Sequence, residues 1–227
     1  MNGFESYAAE QEHSGIWLCK APSDRDRWYH RLCRVRDIGL SAVVLGALWP
    51  LLLLVALVII IDSPGAGPIF AQTRVGKDGK TFTLYKFRTM IPHAEQELEK
   101  LLPFNEMDGP VFKIRKDPRI TRFGSFLRRC CIDELPQLVN VLRGDMSLVG
   151  PRPALPREVA QYDAYTRQRL CVLPGLTCYW QIQPDRNQLT FDQWRTLDLR
   201  YIRQRNMAID LWIIWKTFGA ILSMSGE

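Results

Sequence analysis

The chain has 227 residues, with 30 Lys and Arg against 24 Asp and Glu, a formal charge of +6 and 47% hydrophobic residues. That length holds one globular domain with an appendage and excludes two domains of typical size. The cationic surplus, mostly arginine, favours an anionic partner such as lipid headgroups, nucleotides or nucleic acid; six cysteines without a CxxC pair and three scattered histidines argue against a protein-built zinc site and for reduced cytosolic thiols.

Residues 1–36 are polar and mixed in charge, too long and too acidic for the first region of a signal peptide. They read as a basic cytosolic segment, a flexible start with one short helix near a membrane. Residues 37–62 follow as a membrane segment. Between Asp37 and Asp62 no residue is charged. As a straight helix the run would be roughly 36 Å long, enough to cross a bilayer core of about 30 Å. Two features oppose a crossing. Pro50 lies near the centre, where it removes a backbone donor and clashes with the preceding turn. The flanks are both basic, with Arg31, Arg34 and Arg36 before the run and Arg74, Lys77, Lys80, Lys86 and Arg88 after it. The positive-inside rule places both in the cytoplasm. A helix broken at Pro50 that enters and leaves one leaflet satisfies both facts.

Residues 63–227 read as a cytosolic, membrane-associated domain. After the turn-rich Ser63-Pro64-Gly65-Ala66-Gly67-Pro68, Ile69 to Val75 and Thr81 to Phe87 alternate as strands around an Asp78-Gly79 turn. Ala94 to Leu102 reads as an amphipathic helix, Val111 to Ile114 as a short extended piece, and Asp117-Pro118 as the start of a helix carrying Ile120, Phe123 and Leu127 inward. A further helix is expected from Asp133, stopped by Gly144. Ser147 to Pro153 is a rigid connection in which two prolines fix the backbone around Arg152. Arg157 to Leu170 reads as helix, Leu173 to Thr177 as a turn, Cys178 to Ile182 as a strand and Leu189 to Arg205 as a charged helix. Met207 to Phe218, with Trp212 and Trp215, suits an interfacial helix and equally a core helix. The fold class is therefore α+β and helix-rich.

The densest chemistry lies between Arg119 and Pro153. Asp133 and Glu134 are adjacent acids at an expected helix start. Arg119, Arg122, Arg128 and Arg129 precede them, and Arg143 and Arg152 follow. A helix start offers N–H groups and partial positive charge to a phosphate. A carboxylate there can attack phosphorus or hold Mg²⁺, and a diphosphate substrate brings Mg²⁺ with it. The plain alternative is an N-cap aspartate among exposed arginines. There is no GxxxxGK[ST], GxGxxG or GxSxG.

These residues carry a resemblance. From about Arg34 to Leu222 the chain resembles the bacterial sugar transferases, the monotopic polyprenyl-phosphate phosphoglycosyl transferases, in a small form consisting of the catalytic domain. The likeness lies in Asp62-Ser63-Pro64-Gly65, Gln72 to Gly76, Lys86-Phe87-Arg88-Thr89-Met90, Asp117 to Thr121, Asp133-Glu134-Leu135-Pro136-Gln137, Gly144 to Pro153 and Pro174-Gly175-Leu176-Thr177, in this order. It implies transfer of a phosphosugar from a UDP-sugar to polyprenyl (undecaprenyl) phosphate, with release of UMP and use of Mg²⁺. This is the first membrane step of a surface glycan, at the cytoplasmic face of a bacterial inner membrane. It implies that Asp133 is the nucleophile and metal ligand and that Glu134 assists, with deprotonation of the acceptor phosphate as a candidate part. It further implies that Arg128 and Arg152 hold phosphate, with Arg88 and Arg119 as further candidates, and that the membrane segment is re-entrant. Membrane lipid is an expected partner, nucleic acid is not, and a homodimer is allowed. Trp49-Pro50 stands where the family has Ser-Pro, Cys130-Cys131-Ile132 where Thr-Ser-Leu is common, and Cys178-Tyr179-Trp180 and Asp185-Arg186-Asn187 depart from glycine-rich patterns. The alternative class is a membrane-tethered basic module binding anionic lipid or nucleic acid. It explains the charge and the anchor but not the acid pair.

Overall fold

A computed structural model describes residues 24–222 apart from 115 and 185; the flexible start expected before residue 24 lies outside the described residues. Helix α1, Asp24–Asp62, is one helix of 39 residues with Pro50 inside it. The basic run and the apolar run are thus a single element, and any bend at Pro50 is a kink within a helix, not a gap between two. Along its middle, Val43, Trp49, Leu53, Leu54 and Leu57 are all exposed.

Both ends of α1 pack on the same domain. Near the start, Arg34 donates to the carbonyls of Val141 and Leu142. Arg36 pairs with Asp37 and Asp210, each at 2.7 Å, and Ser147 donates to Asp37 at 2.7 Å. Near the end, Val55 and Ile59 are buried in a cluster with Phe87 and Leu127.

The expected hairpin forms with the expected bounds. Strand β1 (Ile69–Val75) pairs antiparallel with β2 (Thr81–Phe87), from Ile69 opposite Phe87 to Val75 opposite Thr81. Asp78 (φ 57°) and Gly79 (φ 77°) take the left-handed conformations that a tight turn between twisted strands requires.

Elsewhere the elements are shorter than the spacing predicts. Between residues 92 and 104 only Leu98–Leu101 is α-helical (α2), followed by a 3₁₀ turn at Leu102–Phe104. Pro92 and a left-handed His93 (φ 61°) break the start of the expected helix. Helix α3 is Arg122–Arg129 and begins four residues after Pro118, because Thr121 is the cap, its hydroxyl accepting from Gly124 N–H. Helix α4 is Gln137–Arg143, ended by Gly144 in the left-handed region (φ 92°) as expected. The expected helix over 157–170 is divided into α5 (Pro156–Val159), α6 (Ala164–Arg167) and a 3₁₀ turn (Gln168–Cys171), with Asp163 capping α6. Helices α7 (Phe191–Gln204) and α8 (Met207–Leu222) complete the chain.

A second sheet was not foreseen. Strand β3 (Ser147–Val149) lies parallel to β4 (Gly175–Thr177), so the strand falls on residues read as a turn and Cys178–Ile182 is not one. The pairing needs glycine on both sides, since a Cβ on Gly175 would stand 2.0 Å from the Gly150 nitrogen. The main core gathers Leu84 from β2, Leu138 and Val141 from α4, Leu148 and Val149 from β3, Leu199 and Ile202 from α7 and Ile213 from α8. Cys33, Cys130, Cys131 and Cys178 are free thiols, whereas Cys171 is disulfide-bonded, against the expectation of reduced thiols throughout.

Candidate active site

The acid pair is placed by a chain reversal. Helix α3 ends at Arg129, and Cys131 then adopts a left-handed backbone (φ 55°), a conformation that costs a residue with a Cβ roughly 1–3 kcal/mol. The reversal turns Ile132–Glu134 into a 3₁₀ turn that carries both acids. Asp133 is therefore not the cap of α4, as the apolar spacing suggested; Pro136 holds that position.

Asp133 is buried, and Glu134 is half-buried beside it. Lys86 Nζ, from the end of β2, lies 2.6 Å from Glu134 Oε1 and 3.9 Å from Asp133 Oδ2. Burial raises the Asp133 carboxyl to about 6, against the pull of Lys86 and Arg128 and with added repulsion from Glu134. The pair thus divides: Glu134 is ion-paired with Lys86, while Asp133 is a desolvated carboxylate of raised basicity.

The arginines arrive from separate elements. Arg128, in the last turn of α3, donates Nε–H to Thr89 Oγ1 at 3.0 Å. This contact depends on Gly124, where a Cβ would stand 2.1 Å from the Thr89 carbonyl oxygen, so glycine alone lets α3 approach the segment leaving β2. Arg88 donates Nε–H to Gly67 O at 2.7 Å, and its guanidinium lies 5.9 Å from the centre of the Phe70 ring. Arg152 projects between Pro151 and Pro153, and no hydrogen bond or ion pair from the described residues engages its guanidinium. Arg119 differs. It is buried, its Nε and Nη2 donate to Asp117 at 2.9 and 2.6 Å, and Nη1 donates to Ala94 O at 3.1 Å. Its fork is committed to holding the 94 and 117 segments together.

Asp133, Glu134, Arg88, Arg119, Arg128 and Arg152 all line one open cleft of about 1060 Å³. Among the further cations on its wall, Lys86 and Arg74 were read only as basic flank and motif positions. For Lys86 a signal existed. By strand alternation it shares a face with Phe82 and Leu84, which pack on the core, and a lysine on that face needs an acidic partner. On the far side, Trp180 stacks on Trp194 with ring centres 4.1 Å apart, and Lys113 Nζ donates to Asn187 Oδ1 at 3.2 Å.

A cation-lined cleft that holds a buried carboxylate of raised basicity suits phosphoryl chemistry, and the sequence comparison agrees. Residues 28–224 match the family model of the bacterial sugar transferases. The chain belongs to that family. It is 41% identical over 198 residues to galactosyl transferase CpsE of Streptococcus agalactiae, covering 87% of this chain and 44% of that protein. It is 37% identical over 199 residues to the undecaprenyl-phosphate galactose phosphotransferase of Salmonella typhimurium (86% of this chain, 41% of that protein). It is 37% identical over 195 residues to the exopolysaccharide production protein ExoY of Sinorhizobium fredii (84% of this chain, 85% of that protein). The chain thus spans less than half the length of the first two relatives and most of the third. Among the described residues no group of three or more His, Cys, Asp or Glu is placed to hold a metal ion. The carboxylates of Asp133 and Glu134 are hard oxygen donors, and they suit an ion such as Mg²⁺ that takes one or two carboxylates and completes its shell from water and substrate phosphate.

Proposed function

We propose that the chain transfers a sugar 1-phosphate from a UDP-sugar to a polyprenyl phosphate at a membrane surface, giving a polyprenyl-diphosphate-sugar and UMP. The observation that carries this reading is a buried, basic carboxylate, Asp133, beside a Glu134–Lys86 pair, in one cleft with the guanidinium groups of Arg128 and Arg152. Relatives named for transfer from UDP-galactose to a lipid carrier, or to undecaprenyl phosphate, support it. Those named for exopolysaccharide production support a place at the start of a surface glycan.

In the first half-reaction Asp133 attacks the phosphorus that bears the sugar. The bond from that phosphorus to the bridging oxygen breaks, and UMP leaves with the oxygen. In the second, an oxygen of the polyprenyl phosphate attacks the same phosphorus and returns the Asp133 carboxylate. Arg152 and Arg128 bind phosphate oxygens as charge accumulates, with Arg88 as a third cation at the mouth. Glu134 sits where it can accept a proton from the acceptor, and Lys86 keeps the two acids apart in charge. Asp133 and Glu134 would hold Mg²⁺, which when bound offsets the charge of the diphosphate. Arg119 acts in this scheme as a brace.

The membrane part of the proposal is a re-entrant α1 on the cytoplasmic face. A spanning helix puts its ends on opposite sides of a core about 30 Å thick. Here the starting half, at Arg36 and Asp37, and the final turns, at Val55 and Ile59, both pack on one domain. The exposed apolar residues between them are those left for lipid. A basic module binding lipid or nucleic acid fits less well, because a buried acid among its cations weakens it.

The test is UMP release from a panel of UDP-sugars without acceptor. We expect release about equal to the enzyme present, and none from Asp133→Asn. A requirement for polyprenyl phosphate before any UMP appears would point to direct transfer.

A further inference from the structure

Arg74 lies in β1, opposite the Arg152 loop. It is only 8% exposed, and among the described residues no carboxylate forms an ion pair with it. Its Nη1 donates to Pro153 O at 3.0 Å and its Nη2 to Gln72 Oε1 at 2.7 Å, while Nε has no partner. Gln72 in turn donates Nε2–H to Glu95 Oε1 at 3.1 Å. One chain of hydrogen bonds therefore ties the 95 segment, β1 and the Pro151-Arg152-Pro153 loop together along the wall of the cleft. The backbone repeats the tie one residue on, where Val75 N–H donates to Ala154 O at 2.9 Å. From the other side the loop is held by β4, through Gly150 N–H to Thr177 O at 3.0 Å and Gly175 N–H to Pro151 O at 2.9 Å.

We propose that Arg74 is a positioning residue for Arg152: it fixes the carbonyl that follows Arg152 and drives the Arg152 guanidinium off β1 and into the cleft, where the donor's diphosphate would lie. The inference rests on the proposed function. If the site had only to hold a loop, a neutral donor would suffice, and a buried cation is an expensive choice. The charge has consequences of its own. The groups that face Arg74 electrostatically are Arg152 and Arg157, which repel it, and Glu158 and Glu134, which attract it. Burial and the Arg152 charge lower Arg74 to about 10, so it stays a cation at neutral pH and the two guanidinium groups repel each other. The Arg152 backbone is fixed by its flanking prolines, so that repulsion is relieved by swinging the Arg152 side chain away from β1. An anion bound between them removes the penalty for both.

The test is a double-mutant cycle on the detergent-solubilised full chain, read in the Kd of UDP by calorimetry so that it does not depend on turnover. Arg74→Met should weaken UDP by about 10- to 100-fold, the range for losing a hydrogen bond to a charged group. Arg74→Lys keeps the charge but not the two-pronged tether and should lie between Met and wild type. In an Arg152→Met background Arg74→Met should cost less than about twofold, because the group it positions is gone. Uridine, which lacks the diphosphate, should bind all four proteins of the cycle alike. Additive losses, an unchanged UDP Kd in Arg74→Met, or wild-type protein that does not bind UDP would each overturn the inference. If Arg74→Met does not fold, the same cycle with Arg74→Lys decides, by the same criterion of additivity. Wild type that binds UDP and shows the coupling yet releases no UMP from any UDP-sugar would sink the transfer reaction and leave Arg74 its role.

Discussion

At the scale of single residues, two acids that are neighbours in sequence have unlike environments. Glu134 shares its charge with Lys86 at 2.6 Å, and Asp133 is buried with Lys86 at 3.9 Å. Two titratable groups pushed apart in this way can take separate roles. The sign of the pH dependence follows. In the proposed reaction only the ionised form of Asp133 can attack, and its carboxyl is raised to about 6, chiefly by burial. The rate of UMP release should therefore climb as pH rises through that value and level off above it. Lys86 favours the charged form, so Lys86→Met should carry the rising limb to higher pH and slow release at neutral pH. The burst rate measured between about pH 5 and 8 checks this. A limb that stays in place in Lys86→Met would remove Lys86 from the site's electrostatics. Cys131 enters here through its backbone. Its left-handed turn aims the acids, while burial and the nearby Glu134 push its thiol up to about 11, so it is no competing nucleophile at neutral pH.

At the scale of elements, α1 is joined to the rest of the fold by buried polar chemistry at one end and by apolar packing at the other. Asp210 of α8 is fully buried and accepts from Tyr29 at 2.9 Å, Arg36 at 2.7 Å and Tyr201 at 2.9 Å. Asp210→Ala removes one partner of a buried pair and leaves the Arg36 guanidinium with Asp37 alone. That change should cost about 3–5 kcal/mol of stability, read in denaturant or thermal unfolding in detergent. A loss under 1 kcal/mol would mean that water reaches the network. Such ties also mark what the sequence could show. The hairpin was legible to the residue because alternation and an Asp-Gly turn are local signals. The helices expected over 94–102 and 157–170 are shorter, because a left-handed His93 just ahead of the first run delays its start and the Asp163 cap divides the second. The β3–β4 sheet was hidden for another reason. Its strands are three residues long and depend on Gly150 meeting Gly175 across the fold. The acids and Arg128, Arg152 and Arg88 were visible as a charge cluster with a family pattern. Arg74 was not, since its partner lies 79 residues away, and Lys86 was marked only by its place on the inward face of β2, its partner lying 48 residues on.

At the scale of the molecule, the cleft, α1 and α8 must be compatible in one orientation at the proposed membrane surface. Helix α8 buries Ile213 and Asp210 while exposing Leu211, Trp212, Trp215 and Phe218. Amphipathic rings of this kind favour the headgroup level. α1 exposes Val43, Trp49, Leu53, Leu54 and Leu57 and keeps both ends on the domain. If α1 instead crossed the bilayer, one of its two packed ends would have to leave the domain. Either the Arg36–Asp37–Asp210 network would be broken and its charges left in or beyond the membrane, or Val55 and Ile59 would abandon Phe87 and Leu127. The first alternative strands a buried ion-paired group, and the second exposes a packed cluster, so each carries a penalty of several kcal/mol. A re-entrant α1 needs neither. The prediction is that single cysteines introduced at Arg27 and at Lys80, in a variant whose native cysteines are replaced by serine or alanine, both react with a membrane-impermeant maleimide in inside-out vesicles. Neither should react in intact spheroplasts. Arg27 lies before the apolar run and Lys80 in the hairpin turn, so labelling of one in spheroplasts and the other in inverted vesicles would establish a crossing and end the monotopic reading. UMP release retained by the substituted protein shows that the topology measured is that of the working fold.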